Sequence, residues 1–419
     1  MAILSSPIRD RGTVESKRRR SLVVEWLAHP QASFFLVLVP TLLLLGLGLL
    51  MVLSSSSVYA KQATGDSYYY MKRQLVFLVI GAVVAWVLAK AKVKQLRVLG
   101  WLFLVAALVM QLLTFTPMGV GKNGNTNWIE FGSPMLHFQP SELIKLALVV
   151  WGADVLDRKF KLLHKPKHLV FPFIFIAVVL IGLVVLQSDL GTGVILVGIM
   201  LSIMWCVGVR WKVLTAVIAT MTVAVMTFIV TSPNRIGRIL GFLSPDSDPY
   251  GSNHQPMKAI YALASGGWWG LGLGSSRQKW GGLVEAHTDY VLAILGEELG
   301  LVCVFVVLGL FIVLGYAGFR IAMRADDRFV RFTAAGLTSW LMIQTLVNVL
   351  VVFRLLPVIG VTLPFISYSG SALLSNMCAI ALLLACARHE PAARNYVPET
   401  DEMETGKSFL AFAETGSQR

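Results

Sequence analysis

Ionisable side chains that could do chemistry stand at four points in an otherwise apolar sequence. They are Glu142 with Lys145, Asp189, Glu297 with Glu298, and Asp289. Each is costly to hold in lipid and is therefore a candidate functional residue. Asp289 has the features that a general base needs, because it is a carboxylate at the junction of a long polar segment and an apolar one. Its alternative role is to cap the helix that follows.

The other candidates also have structural interpretations. Glu142 and Lys145 lie at positions i and i+3, so they can form an ion pair that either orients a helix or lines a cavity. Asp189 joins two apolar runs and can cap the second of them. Adjacent helical positions point about 100° apart, so only one of Glu297 and Glu298 can easily face a given cavity. Pairing with a neighbouring helix explains these two residues at least as well as catalysis does.

The segment before Asp289 is basic. Its cations are Arg235, Arg238, Lys258, Arg277 and Lys279. Such side chains are suited to hold an anionic headgroup beside a base. The glycines at 270, 272 and 274 do not have the spacing of a dinucleotide loop, so we interpret them as a turn. The four cysteines lie in apolar runs without a CxxC pair, and the sequence therefore predicts neither a disulfide nor a zinc site.

Membrane helices must position these residues. The chain has 419 residues, of which 56% are hydrophobic and 14% charged, whereas a soluble domain has roughly 25% charged residues. Apolar stretches that approach the roughly 20 residues needed to cross a bilayer recur along the chain. They lie near 33–53, 74–90, 98–115, 141–156, 169–186, 190–209, 213–231, 289–317, 332–352 and 372–388. We predict an all-α, polytopic integral membrane protein with about ten transmembrane helices, nine and eleven being the alternatives.

The basic residues predict the orientation of these helices. The net charge of +13 comes from short clusters between apolar runs, as orientation signals do, and nucleic acid is not predicted as a partner. Because the clusters fall in alternate loops, both termini are expected in the cytoplasm. We predict a basic cytoplasmic tail over 1–30, a membrane domain over 31–388 and a disordered cytoplasmic tail over 389–419. Residues 232–288 form a large extracytoplasmic loop between the seventh and eighth helices.

Several short blocks together resemble one known family. The blocks are Gly124–Ile129, Phe138–Lys145, Gln187–Thr192, Gly272–Trp280, Glu285–Tyr290, Gly296–Gly300, and Asn348 with Arg354–Ser371. In sequence and in order they resemble the signatures of the SEDS family, which comprises FtsW, RodA and SpoVE. Gly274–Lys279 and Gly296 are more similar to the FtsW branch than to the RodA branch. Ser188, Val284 and Ser369 depart from the common pattern, as do Asn127 and His254.

The resemblance implies a function. Members of this family are peptidoglycan glycosyltransferases that polymerise lipid II on the outer face of the inner membrane. Asp289 is then expected to be the general base of an inverting transfer, ionised at neutral pH like an ordinary aspartate. A divalent cation, Mg or Mn, would assist the departing pyrophosphate, although no dedicated metal ligands are evident. The expected substrate-binding residues are Trp128, Glu142, Lys145, Asp189, Lys258, Arg277, Gln278, Lys279 and Ser367.

The resemblance also implies partners and a place in the cell. The expected partners are a class B penicillin-binding transpeptidase and other division proteins, and the expected location is the division septum. Three other functions stay open from the sequence. The chain could be a lipid II flippase, an elongation polymerase of the RodA type, or a scaffold without catalysis. A flippase should place its essential charges near the middle of the bilayer, whereas a polymerase should concentrate them at one face.

Overall fold

The computed structural model describes residues 29–121, 126–130, 132, 137–163, 165–231, 233–244, 253–283 and 285–394. Of the predicted tails over 1–30 and 389–419, only residues 29–30 and 389–394 are described. The start of the tail that was predicted to be disordered contains a short helix at Pro391–Arg394. The described chain is mainly helical. Its longer helices are α1 (Ala32–Thr64), α2 (Tyr69–Leu88), α3 (Val93–Leu113), α4 (Pro140–Arg158), α5 (Phe175–Leu186), α6 (Leu190–Val207), α7 (Trp211–Val230), α8 (Pro233–Leu243), α9 (His254–Gly266), α10 (Val291–Arg324), α11 (Arg328–Val352) and α12 (Gly370–Arg388).

Nine helices within the described residues are long and apolar enough to cross a membrane. They are α1–α3, α6, α7, α10–α12, and α5 together with the short helical turns that precede it, over Lys167–Leu186. The remaining predicted span, α4, has 19 residues but carries Glu142, Lys145 and Asp154. It is buried along almost its whole length by α3, α6, α11 and α12. A helix enclosed by protein does not have to be apolar, so α4 is the central helix of a bundle of about ten, as predicted.

The two ends of the bundle differ in chemistry. The end that carries Gln139, Asp189 and Asp289 is called the loop end, and the opposite end is called the basic end. At the basic end, the Arg97 guanidinium lies 2.9 Å from Asp154 and 2.7 Å from Asp157, and Arg328 lies 3.1 Å from Asp157. These ion pairs join α3, α4 and α11.

The predicted large loop over 232–288 contains regular structure. It includes α8 and α9, followed by a 3₁₀ turn at Gln278–Trp280. The other long connection at the loop end forms a small antiparallel sheet. Its strands are β1 (Gly119–Val120), β2 (Trp128–Glu130) and β3 (His137–Phe138), with Val120 opposite Trp128 and Ile129 opposite Phe138.

Helix α10 is broken at Gly300, where φ is 79° and ψ is 173°. The first part, Val291–Leu299, is called the half-helix, and the second part continues to Arg324. Only glycine fits this break, since a Cβ at Gly300 would lie 2.3 Å from the Trp268 carbonyl oxygen. The half-helix is buried from Val291 to Glu298. It therefore behaves as a short packed element that carries Asp289 at its N-terminal side.

Candidate active site

Asp289 lies immediately before the half-helix, where α10 begins. The N-cap residue of α10 is Tyr290, and no side-chain hydrogen bond caps this helix. The Asp289 side chain is partly buried and has no hydrogen-bond partner among the described residues. Its Oδ2 atom faces Gly360, where a Cβ would lie 3.4 Å away. The capping interpretation of Asp289 is therefore wrong, and its carboxylate is not engaged in a hydrogen bond to the described residues.

The surroundings of Asp289 favour its protonated form. Burial raises the pKa of Asp289 to about 7, and the negative charges of Glu285 and Asp189 act in the same direction. Arg238 on α8 opposes them. The expectation of an ordinary, fully ionised aspartate at neutral pH is therefore wrong. A pKa close to the working pH is what an efficient general base needs.

The backbone around Asp289 is tied to α11 by Asn348. Its amide nitrogen donates to the carbonyl oxygens of Asp289 at 2.8 Å and Val361 at 2.7 Å. One buried side chain thus joins the start of the half-helix to the segment that links α11 to α12. Asn348 was part of the family resemblance, but its sequence position alone did not suggest this role.

His287 fixes the other side of the same segment. Its ring stacks on Tyr59 of α1 and Tyr70 of α2, with 5.2 Å between the ring centroids in each case. Its carbonyl oxygen accepts a hydrogen bond of 2.9 Å from the Tyr368 amide. The short segment that carries Asp289 is therefore held by α1, α2, α11 and the α11–α12 link. The sequence shows an aromatic run at 68–70 but gives no sign of this contact.

Asp189 is both a helix cap and a neighbour of the candidate base. Its Oδ1 accepts from the Thr192 amide at 2.9 Å, and its Oδ2 accepts from Gln139 Nε2 at 2.9 Å. The capping prediction is confirmed. Burial raises the pKa of Asp189, while Lys145 acts against this rise. Since Asp189 also raises the pKa of Asp289, the two carboxylates influence each other across the loop end.

Glu142 and Lys145 form the predicted ion pair. Lys145 Nζ lies 2.8 Å from Glu142 Oε1, and the two side chains are only 3% and 5% exposed. Lys145 Nζ also donates to Gln344 Oε1 at 2.9 Å, and Gln344 Nε2 donates to the Thr362 carbonyl oxygen at 3.0 Å. The pair therefore anchors α4 to α11 and to the α11–α12 link. Glu142 Oε2 is buried and has no partner among the described residues.

Lys279 is buried and forms an ion pair within the protein. Its Nζ atom lies 3.0 Å from Glu298 Oε1 in a buried ion pair, and its side chain is 4% exposed. The structural interpretation above placed the partner of Glu298 on a neighbouring helix; the ion pair is instead made with the 3₁₀ turn of the loop, and helix α1 contributes a hydrogen bond from Ser54 Oγ. Lys258 lies partly buried on α9, Arg277 is exposed and Gln278 is partly buried. Contact of these four side chains with substrate stays a prediction.

One small cavity at the loop end is lined by Arg238, one of the basic residues noted before Asp289, and by Arg354, which was not among the expected substrate-binding residues. Arg238 and Arg354 face it together with Asn253 and Pro357. Arg354 has a positive φ of 55°, and its guanidinium contacts Met257 Sδ at 2.9 Å. Arg238 also acts electrostatically on the Asp289 carboxylate, although Asp289 is not one of the residues that line the cavity. The signal for Arg354 was present in the sequence, inside the block Arg354–Ser371.

Ser367 and Trp128 lie in structural positions. Ser367 Oγ accepts from the Leu363 amide at 2.9 Å and closes a turn in the α11–α12 link. Trp128 is partly buried in β2. Their predicted substrate contacts also stay predictions.

The described carboxylate oxygens around Asp289 are not arranged as a set of ligands for a bound metal ion. Both oxygens of Asp189 are occupied, and Glu285 Oε2 accepts from Thr288 Oγ1 at 2.9 Å. Within the described ranges, no three His, Cys, Asp or Glu side chains lie together as metal ligands. No step below is routed through a metal, and assistance by Mg or Mn stays a prediction.

Sequence relatives extend over most of the chain. A profile of the FtsW/RodA/SpoVE family, described as cell cycle protein, matches residues 35–392. FtsW of Mycobacterium tuberculosis, named a probable peptidoglycan glycosyltransferase, is 36% identical over 380 residues, which are 90% of this chain and 72% of the relative. Stage V sporulation protein E of Bacillus subtilis is 36% identical over 355 residues, which are 84% of this chain and 96% of the relative.

Solved structures share the fold. One is a chain from a peptidoglycan synthase complex described as coordinating polymerization and crosslinking. It is 26% identical, has a TM-score of 0.68 and covers 87% of this chain and 98% of its own length. The rod shape determining protein RodA of Thermus thermophilus is 24% identical, has a TM-score of 0.60 and covers 88% and 99%. The chain therefore belongs to the FtsW/RodA/SpoVE family of polytopic membrane peptidoglycan glycosyltransferases.

Proposed function

We propose that this protein polymerises lipid II into glycan strands at the outer face of the inner membrane, with Asp289 as the general base. The observation that carries the proposal is the Asp289 carboxylate itself. It has no hydrogen-bond partner within the described chain, burial raises its pKa to about 7, and it lies at the loop end, within electrostatic reach of Arg238. A carboxylate held in this way is ready to take a proton from a bound hydroxyl.

The reaction is a single displacement at the donor sugar. The 4-hydroxyl of the acceptor N-acetylglucosamine attacks C1 of the donor, and its proton passes to Asp289 Oδ2. The new C1–O bond forms as the bond from C1 to the pyrophosphate oxygen breaks, and the electron pair leaves with undecaprenyl pyrophosphate. Because the donor linkage is α and the product linkage β, the step inverts C1. Asp289 afterwards returns its proton to water.

Arg238 and Arg354 are proposed to hold the departing pyrophosphate. Both arginines line one cavity, and Arg238 also acts electrostatically on Asp289. A guanidinium is suited to this task because its fixed charge and several N–H donors match phosphate oxygens. Positive charge beside the leaving oxygen stabilises the charge that develops in the transition state. Lys279 is left out of the proposed set, because its ammonium is already paired with Glu298.

The placement of the acids supports a polymerase over a flippase. Glu142 lies in the first turn of α4, Asp189 at the N-cap of α6 and Asp289 just before α10. All three helices begin at the loop end. The acids around the candidate base are therefore concentrated at one face of the bundle, whereas a flippase needs charges near the bilayer midplane.

The proposed partner is a class B penicillin-binding transpeptidase, which would crosslink the strands made by this protein. The solved relative in a synthase complex that coordinates polymerization with crosslinking supports this proposal.

The FtsW-like segment Gly274–Lys279 supports a role in septal synthesis. Both termini are proposed to lie in the cytoplasm, because the basic clusters fall in alternate loops. Depletion of the protein should then block septation and give filaments. Loss of elongation with normal division would assign the chain to the RodA branch instead.

Polymerisation of lipid II by purified protein with its transpeptidase tests the base. Asp289→Asn keeps the volume of the side chain but cannot accept the proton, so the rate should fall by about 10²–10⁴-fold while expression and transpeptidase binding stay normal. Glu285→Gln is the comparison, since it removes a nearby exposed carboxylate that is bonded to Thr288. Because Glu285 raises the pKa of Asp289, this variant should shift the acid limb of the pH profile to lower pH without the large loss of rate. Parental activity of Asp289→Asn would show that the base lies elsewhere.

A further inference from the structure

The loop that precedes Asp289 completes the backbone hydrogen bonding of α10 at its break. In an unbroken helix the amides of Leu301 and Val302 would donate to the carbonyls of Glu297 and Glu298. Here Leu301 N donates to Gly267 O at 2.9 Å and Val302 N to Trp268 O at 3.3 Å.

The two carbonyls left by the break also find partners in the loop. Glu297 O accepts from Leu271 N and Glu298 O from Gly272 N, each at 2.9 Å. Residues 267–272 are thus inserted into the hydrogen-bond ladder of α10. The half-helix is joined to the rest of α10 by the chain at Gly300 and by this loop.

Two buried glutamate side chains strengthen the same junction. Glu297 accepts from Arg277 N at 3.0 Å and from Ser276 Oγ at 2.5 Å. Glu298 pairs with Lys279 at 3.0 Å and accepts from Ser54 Oγ of α1 at 2.6 Å. Both glutamates are 0% exposed. We call Glu297, Glu298, Ser276 and Lys279 the loop latch.

We propose that the loop latch positions the half-helix, and through it Asp289, against the rest of the active site. This inference rests on the proposed role of Asp289 as the base. The reason is that the half-helix is buried as one element, but its helical connection to the rest of α10 is broken at Gly300. Other contacts must therefore fix its position. A buried ion pair is often no more stabilising than an apolar pair of the same volume, but its directed bonds can specify one arrangement. The latch residues are positioning residues and need not touch substrate.

The test uses the full-length protein in lipid nanodiscs with its transpeptidase. The variant Lys279→Met/Glu298→Gln removes both charges of the pair together, so that neither partner is left as a buried charge without its counter-ion. Its control is Arg97→Met/Asp154→Asn, which removes two charges from the partly exposed ion-pair network at the basic end, where Asp157 keeps its pairing with Arg328. For each protein we measure the melting temperature, kcat, KM and the hydrogen exchange of amides 291–299.

The latch variant should melt within a few degrees of the parent, because both charges are removed together. Its kcat should fall roughly tenfold to a hundredfold with little change in KM, since small displacements of a catalytic group have effects of this size. Amides 291–299 should exchange faster while those of α11 do not change. The basic-end control should keep the parental kcat and exchange.

Parental kcat in the latch variant would overturn the inference. So would a loss of kcat with unchanged exchange at 291–299, which would mean that the latch does not hold the half-helix. If the double variant does not reach the membrane, Ser276→Ala is judged by the same measurements; it removes the two hydrogen bonds of one hydroxyl and no charge. Activity of Asp289→Asn reports on the base alone, because that substitution leaves the latch intact.

Discussion

Asn348 Nδ2 donates to the main-chain carbonyl oxygen of Asp289 across 2.8 Å. The same amide group also donates to Val361 O at 2.7 Å. One side chain of α11 therefore joins the segment before α10 to the segment that links α11 to α12. The position of the proposed base is therefore set by α11 as well as by its own helix. Substitution of residues on α11 should therefore change kcat even where the substituted side chain does not contact substrate.

Replacing Asn348 by Ala should lower kcat more than it changes KM. Two buried carbonyls would lose their donor, which costs about 1–3 kcal/mol for each group left unsatisfied. The melting temperature should fall as well. Thr345→Val is the control, because Thr345 is buried on the same helix but bonds only to Leu341 O. Equal kcat in Asn348→Ala and the parent, measured per folded molecule, would contradict the positioning role.

Activity should depend on pH through Asp289. The base must be deprotonated to act, and burial raises its pKa to about 7. The rate should therefore be lost as the pH falls through 7, with roughly a tenth of the molecules ionised one pH unit lower. It should reach a plateau above about pH 8. A flat profile between pH 5.5 and 8 would show that no group with this pKa is needed.

The midpoint of that profile should move when Asp189 is neutralised. Asp189 raises the pKa of Asp289 because like charges disfavour ionisation, so Asp189→Asn should shift the acid limb to lower pH. Asn keeps an oxygen that can still accept from Thr192 N. Arg238→Gln should have the opposite effect, since Arg238 lowers the same pKa. Shifts in the same direction for both variants would exclude an electrostatic cause.

The two arginines of the small cavity should matter for the leaving group. Arg238→Gln or Arg354→Gln should reduce kcat/KM for lipid II by roughly a hundredfold to a thousandfold, the range seen when one charge-stabilising group is removed. Substitution by Lys should restore only part of the rate, because Lys lacks the planar fork of N–H donors. Arg277→Gln is the comparison on the same loop. A larger loss of kcat/KM for Arg277→Gln than for either cavity arginine would show that the leaving group is held at the exposed part of the loop instead.

Labelling of single cysteines tests the orientation of the bundle. In a background without the four native cysteines, a cysteine at position 254 of α9 should react with an impermeant reagent in intact cells. A cysteine at position 165, which is exposed before α5, should react only after lysis. The reason is the asymmetry of Lys and Arg between alternate loops. Reaction of position 165 from outside would reverse the topology.

The local features of this protein could be predicted from its sequence. Apolar runs of spanning length, the basic clusters between them, the cap at Asp189 and the Glu142–Lys145 pair each depend on residues close together in the chain. Their geometry follows from helix periodicity and from the cost of placing charge in lipid. The candidate base was found in the same way, as a carboxylate at a helix boundary.

Tertiary structure alone decided which groups surround that base. Lys279 looked free for substrate, but folding places Glu298 and Ser54 around it, and these residues are distant in sequence. The pKa of Asp289 depends on burial and on Asp189, which is 100 residues away in the chain. Charges and hydrogen-bonding groups interact over a few ångströms through space. A local sequence pattern does not predict which distant segments the fold brings within that distance. The sequence therefore determined the helices, the end that carries the chemistry and the identity of the carboxylate, whereas only packing decided its protonation and its neighbours.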